Sequence, residues 1–157
     1  IFNPVTQSEK FDAAGAFMRL SDMGVEPFLV CSTVEGILAQ RLVRTLCPEC
    51  CESYIPSPED VPDDFPQADC RKNDGAIYRA VGCRQCRGTG YRGRTGVYEL
   101  LATNDEVRRL AAERTPTNLI KRAAMQAGMR TLRQDGWRKV CRGQTTIEEV
   151  LRVTKVD

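Results

Sequence analysis

The chain has 157 residues, of which 41% are hydrophobic and 28% charged, and its net charge is +2. This is the composition of a globular domain long enough to bury a core, and no run of 18 apolar residues supplies a membrane-spanning helix. No basic segment followed by an apolar stretch opens the chain, so no secretory signal is expected; eight cysteines then point to a reducing cytosol, where thiolates bind metal.

The small net charge hides an asymmetry. Residues 1–75 hold 6 Lys/Arg against 13 Asp/Glu, and residues 76–157 hold 17 against 8. Such polarity marks either acidic and basic partner surfaces or arginine-rich exposed helix faces, and the second, plainer reading is favoured here.

Residues 1–11 show no periodicity and read as a boundary segment. Asp12 can cap a helix from 12 to 23, rich in Ala and stopped by Gly24, with Phe17 and Leu20 on one face. Pro27 opens a second helix from 28 to about 35. After Gly36, the branched run Ile37–Val43 reads as a strand over 37–45. Residues 46–93 read as a metal module. Its middle is a loop, because Pro56, Pro58, Pro62 and Pro66 interrupt every regular pattern between acidic residues. Ile77–Val81 alternates and reads as a short strand, and Thr95–Leu101 as a core strand.

From 103 onward four helices are expected, over about 104–114, 116–127, 131–142 and 146–153. Three capping boxes mark their starts, at Thr103/Glu106, Thr131/Gln134 and Thr145/Glu148, and Thr115-Pro116 marks the remaining one. Leu110, Leu119, Ala123, Leu132, Val140, Val150 and Leu151 would face inward to form one small helical cluster over 103–157, with Trp137 packed among them. The fold class read from these elements is α/β.

Two Cys-x-x-Cys pairs carry the chemistry: Cys47-Pro-Glu-Cys50 and Cys83-Arg-Gln-Cys86. Two residues between cysteines let both thiolates of a turn face one point, and two such turns complete a tetrahedral zinc shell. The chain has no histidine, so Cys47, Cys50, Cys83 and Cys86 are the candidate metal ligands. The interval from 51 to 82 exceeds that of a compact ribbon, so a loop has been let into the module. A thioredoxin-type redox pair needs only one such motif, and a disulfide framework suits a small secreted chain. Four filled positions leave no open site for water, so zinc catalysis is not expected and no catalytic residue is assigned. Cys51 is a possible substitute for Cys50. Cys70, Cys31 and Cys141 read as a loop thiol and buried small hydrophobes.

Gly88-Thr-Gly90-Tyr-Arg-Gly93 matches Gly-x-Gly-x-x-Gly. A dinucleotide fingerprint needs a strand before it and a helix after it. Here a Cys-x-x-Cys turn precedes and a strand follows, so the glycines are read as letting the backbone turn and its amides approach sulfur. No Gly-x-x-x-x-Gly-Lys-[Ser/Thr] occurs, so no P-loop and no cofactor-binding residue is assigned. Arg84, Arg87, Arg92 and Arg94 raise a zinc ribbon for nucleic acid as an alternative; the scarcity of nearby aromatics and the acidic loop speak against it. The Cys-x-x-Cys-x-Gly-x-Gly run also resembles one repeat of the zinc domain of heat-shock co-chaperones, which need several.

Five stretches together resemble one family: Asp12-Ala-Ala-Gly-Ala16, Arg19-Leu-Ser-Asp-Met-Gly-Val-Glu-Pro-Phe28, Leu38-Ala-Gln-Arg-Leu-Val-Arg-Thr-Leu-Cys-Pro48, Gly90-Tyr-Arg-Gly-Arg-Thr-Gly-Val-Tyr-Glu-Leu100 and Thr146-Ile-Glu-Glu-Val-Leu-Arg-Val-Thr154. They are similar to the C-terminal end of the type II secretion and type IV pilus assembly ATPases, over about 12–155. The resemblance implies a hexameric, cytoplasmic, ATP-driven motor at a bacterial inner membrane, whose partners are the other subunits and the inner-membrane platform proteins. It also implies a Cys₄ zinc module inserted between two strands of a RecA-like core, here 12–45 and 94–102. Arg41 and Arg44 would be subunit-interface residues of a hexamer or, equally, strand-edge or surface residues. The family's P-loop, acidic boxes and histidine box would precede Asp12, where this chain has Glu9-Lys10-Phe11. The expectation is a fragment whose first eleven residues are foreign or rebuilt, with ATP hydrolysis belonging to the parent protein.

Overall fold

The computed structural model describes residues 12–67, 70 and 75–154; the boundary segment 1–11 lies outside the described residues. The elements in chain order are α1 (Ala13–Asp22), α2 (Pro27–Thr33), β1 (Gly36–Leu46), β2 (Cys51–Tyr54), a 3-10 turn (Pro58–Asp60), β3 (Ile77–Ala80), β4 (Tyr91–Ala102), α3 (Asp105–Ala112), α4 (Thr117–Gln126), α5 (Leu132–Cys141) and α6 (Ile147–Val153). The mixed helix and sheet of an α/β chain is observed. No helix among the described residues is long and apolar enough to cross a membrane.

β1 and β4 form one two-stranded ribbon, and β2 and β3 another. The ends of the longer ribbon show its direction. Thr103 N–H donates to Glu35 O at 3.0 Å, and Cys47 N–H donates to Gly90 O at 2.9 Å, so β4 runs back along β1. β2 and β3 pair antiparallel from Cys51↔Ala80 to Tyr54↔Ile77. β2 has no counterpart in the sequence reading, and β4 begins four residues earlier than the expected Thr95.

The chain forms two compact units, one from 1–39 and 99–130, the other from 40–98 and 131–157. The first unit gathers α1 to α4 around Phe17, Val30, Leu101, Val107 and Ile120. Its α1 starts as expected: the Asp12 carboxylate accepts from Gly15 N–H at 2.8 Å, and its other oxygen pairs with Lys121 at 2.8 Å. A second carboxylate also serves this terminus, because Ala13 N–H donates to Glu99 Oε1 at 2.9 Å. An anion belongs there, where helix N–H groups lack partners. At the other end of α2, Arg108 donates to the Cys31 carbonyl and pairs with Glu35, satisfying an orphan acceptor of the last turn.

The second unit holds β2, β3, α5 and α6 around Trp137, Val140, Ile147 and Val150. Trp137 is 1% exposed, packed as expected. The four helices after 103 thus fall in both units, α3 and α4 in the first and α5 and α6 in the second. Leu132, Val140 and Val150 are buried, whereas Leu119 and Leu151 are 39% and 37% exposed. In α4 the buried stripe is Ile120 and Ala124 instead, one residue on from the expected Leu119 and Ala123.

Only the Thr131 capping box forms as read: Gln134 N–H donates to Thr131 Oγ1 and Thr131 N–H to Gln134 Oε1. The other two caps sit one residue later. Asn104 accepts from Val107 N–H at 2.8 Å, and Thr146 accepts from Glu149 N–H at 3.4 Å. Thr103 is held in the ribbon by its bond to Glu35, and its hydroxyl is buried without a hydrogen-bond partner among the described residues. Thr145 spends its hydroxyl on the Arg44 carbonyl at 2.8 Å.

The acidic loop is not solvated throughout. Phe65 is buried and stands edge-on to Trp137, with ring centroids 5.4 Å apart. Asp64 accepts from Trp137 Nε1 at 3.0 Å and from Arg133 Nη2 at 2.7 Å. Cys70 and Cys141 form a disulfide. This corrects the reading of Cys70 as a loop thiol and of Cys141 as a buried small hydrophobe: both are buried, and they are joined to one another. Cys31 is free and buried.

Candidate metal centre

The first cysteine turn lies where β1 ends and the second just before β4 begins, so the paired strands bring the two turns together. The four sulfurs of Cys47, Cys50, Cys83 and Cys86 all lie within 4.8 Å of one another. Cys47 Sγ is 3.9 Å from Cys83 Sγ, and Cys50 Sγ is 3.8 Å from Cys86 Sγ. A tetrahedron with metal–sulfur bonds of ~2.3 Å has edges of about 3.8 Å. The donor set therefore fits a tetrahedral thiolate-binding ion. Cys51 does not join the group; it starts β2, opposite Ala80.

Backbone amides aim at the sulfurs, as the glycine-rich segment suggested. Cys83 N–H and Gly90 N–H donate to Cys86 Sγ at 3.1 and 3.2 Å. These bonds, with Cys83 foremost, hold the Cys86 thiol down to about 6 against the effect of burial. Cys50 and Cys47 move the opposite way. Burial pushes Cys50 up to about 12, against a hydrogen bond from the Gly82 backbone. Burial also pushes Cys47 up, against one from the Glu49 backbone. Burial thus disfavours negative charge at Cys47 and Cys50, while amides are already directed at three of the sulfurs. A dication held by Cys47, Cys50, Cys83 and Cys86 would supply positive charge and let all four act as thiolates.

Two glycines make this geometry possible. Gly82 has φ +113° and Gly90 φ +74°. A Cβ on Gly82 would lie 2.6 Å from Gly88 O, and one on Gly90 would lie 2.6 Å from Ala80 Cβ and 3.0 Å from its backbone. Only glycine fits both the left-handed backbone and the close approach.

A second cluster, absent from the sequence reading, anchors the approach to the first turn. Glu149 at the start of α6 is 1% exposed. Its carboxylate accepts from Arg44 Nη2 and Arg44 N–H, both at 2.8 Å, and from Arg152 Nη2 at 2.8 Å. Burial pushes this carboxyl up, but the bonds from Arg152 and Arg44 outweigh it and hold it at about 2. The Arg44 guanidinium lies 4.0 Å from the centre of the Tyr91 ring, and Tyr91 OH meets Thr146 Oγ1 at 2.9 Å. Leu46 N–H completes the tie by donating to Gln144 O at 3.0 Å. Arg44 is thus an internal clamp on the strand leading to Cys47. Nothing in the sequence pairs two residues this far apart. Arg84, Arg87, Arg92 and Arg94 are exposed around the second turn, and Arg87 adopts φ 56°.

The model of the type II/IV secretion system protein family matches residues 10–152. The chain is 45% identical over 144 residues to the type II secretion system protein HxcR of Pseudomonas aeruginosa, covering 92% of this chain and 26% of that protein. It is also 45% identical over 144 residues to the type II secretion system ATPase E of Vibrio cholerae, covering 91% and 28%. Against the type IV pilus assembly ATPase PilB of Thermus thermophilus it is 41% identical over 143 residues, covering 91% and 16%. The chain spans about a quarter or less of the length of these curated relatives. With a family match running through both cysteine turns and all six helices, this chain belongs to the type II/IV secretion system protein family.

Proposed function

We propose that the chain is the zinc-bearing, C-terminal part of a hexameric motor ATPase for type II secretion or type IV pilus assembly, at work on the cytoplasmic face of a bacterial inner membrane. In this reading 12–45 and 94–102 belong to a RecA-like core, 46–93 is the inserted metal module, and 103–157 supplies helices. ATP binding and hydrolysis belong to the remainder of the protein. This part is structural: it presents a rigid module to the other subunits or to inner-membrane platform proteins. Cys47, Cys50, Cys83 and Cys86 hold one zinc ion, which fixes the two turns and performs no catalysis because protein ligands fill its shell.

The observation that carries the reading is the fit of the four sulfurs to a tetrahedron, in a chain with this family match. Elemental analysis tests it. One zinc per chain is expected in protein prepared without chelator, and Cys50→Ser should lower that content sharply. Well under one zinc per chain in the unsubstituted protein overturns the metal assignment. ATP turnover by this chain alone, surviving repeated purification, overturns the division of labour.

A further inference from the structure

The second unit keeps sulfur in two chemical states. Four thiols converge on the metal centre, while Cys70 and Cys141, 71 residues apart in sequence, are joined. Cys70 belongs to the acidic loop, and Cys141 is the last residue of α5. Arg133, Trp137 and Cys141 recur at four-residue spacing, so one face of α5 receives the loop. Arg133 and Trp137 hold Asp64, Trp137 meets Phe65, and Cys141 holds Cys70. The covalent link thus ends a row of noncovalent contacts. Without it, Asp64 and Phe65 alone hold the loop to α5, and hold it less firmly. Cys70 and Cys141 are 1% and 8% exposed, so a small disulfide reaches either sulfur only when Cys70 and Cys141 separate.

We propose that Cys70 and Cys141 form a reversible redox site, addressed by a low-molecular-weight disulfide, that fixes or frees the acidic loop without disturbing the metal centre. The oxidant is glutathione disulfide or a disulfide of that class. One thiolate of the pair attacks a glutathione sulfur, forming a mixed disulfide and expelling one glutathione thiolate. The second protein thiolate attacks the protein sulfur of that mixed disulfide and expels the second glutathione. Two protein thiols lose two electrons, glutathione disulfide becomes two glutathiones, and the two thiol protons end on them. Reduction is the same pair of steps reversed. A thiolate that shares its charge with a dication would be a weaker nucleophile toward a disulfide than a free one, so the two sulfur sets would respond separately. Glu59, Asp60 and Asp63 are exposed on the loop, and the redox state sets how firmly that acidic surface is held.

The test equilibrates the full chain, supplied with zinc, in glutathione buffers of stepped oxidised-to-reduced ratio. Free thiols are trapped by alkylation, links are mapped by peptide mass, bound zinc is measured, and amide exchange is followed. The expected result is a Cys70–Cys141 link that forms and reverses across the series while zinc stays bound. Amides over 58–67 should exchange ~30-fold or more slowly in the linked form, the low end of what a disulfide closing a long loop contributes. Cys70→Ser and Cys141→Ser should each abolish both effects; Cys70→Ser alone suffices if the change in α5 prevents folding. Links among Cys47, Cys50, Cys83 and Cys86 appearing first, zinc loss in step with the Cys70–Cys141 link, failure of the link to form or reverse, or equal loop exchange in both states overturns the proposal. A chain that takes up no zinc leaves the link and exchange readouts intact, which separates failure of the metal assignment from failure of this one.

Discussion

Glu149 shows how a single carboxylate can serve two elements. It sits in the first turn of α6, where negative charge is favoured, yet its oxygens reach the backbone and side chain of Arg44 in β1. Its folded-state value of about 2 lies below the ordinary 4.5. A depressed carboxylate contributes stability above its unfolded value and loses it as pH falls toward the folded one. The contribution is on the order of 3 kcal/mol, lost between about pH 5 and pH 2. Stability followed by urea unfolding across that range should fall for the unsubstituted chain. Glu149→Gln should be less stable at neutral pH and lack that part of the acid dependence. A variant with the same pH profile as the parent would show that Arg44 and Arg152 do not perturb this group.

The cysteine turns were legible as elements because their spacing encodes their geometry. Four-residue motifs with glycines behind them predict sulfurs that converge and amides that point at them, and both are observed. Cap positions were less legible, for a definable reason. Thr103-Asn104 and Thr145-Thr146 each place two cap-competent residues side by side. Local sequence permits either register. The choice is made by long-range bonds, from Thr103 N–H to Glu35 and from Thr145 Oγ1 to Arg44. Thr131 has no such competitor before it, and its box forms as written. Cys70 and Cys141 were illegible because nothing local specifies a partner 71 residues away. The turns also yield a sharp substitution. Gly90→Ala forces a Cβ against Ala80 and displaces an amide that serves Cys86. Loss of such a supporting hydrogen bond weakens metal binding by ~10–100-fold, to be measured by competition with a chromogenic chelator. Unchanged affinity would mean that the turn can adjust without cost to the site.

At the scale of the whole molecule, each unit has its own apolar centre, and only one of them contains the cysteine turns. Cys83→Ser should therefore open residues 46–93 and leave α1 to α4 protected. Structural zinc contributes ~10–16 kcal/mol in apparent terms in small modules, so amide exchange in β2 and β3 should accelerate by on the order of hundredfold or more. Equal losses over 105–126 would instead show one cooperative structure. The ribbon of β1 and β4 adds a kinetic consequence. Its strands are neighbours in space, but residues 48–89 intervene between the bonded Cys47 and Gly90. A chain must search to close so long an interval, and the entropy of that search slows non-local strand pairing. An ion gathering the two turns would perform that closure beforehand, leaving only 87–90 to bring the strand ends into register. The metal would then act as the tight turn of an interrupted hairpin, and refolding with zinc present from the start is expected to proceed faster than refolding completed before it is added.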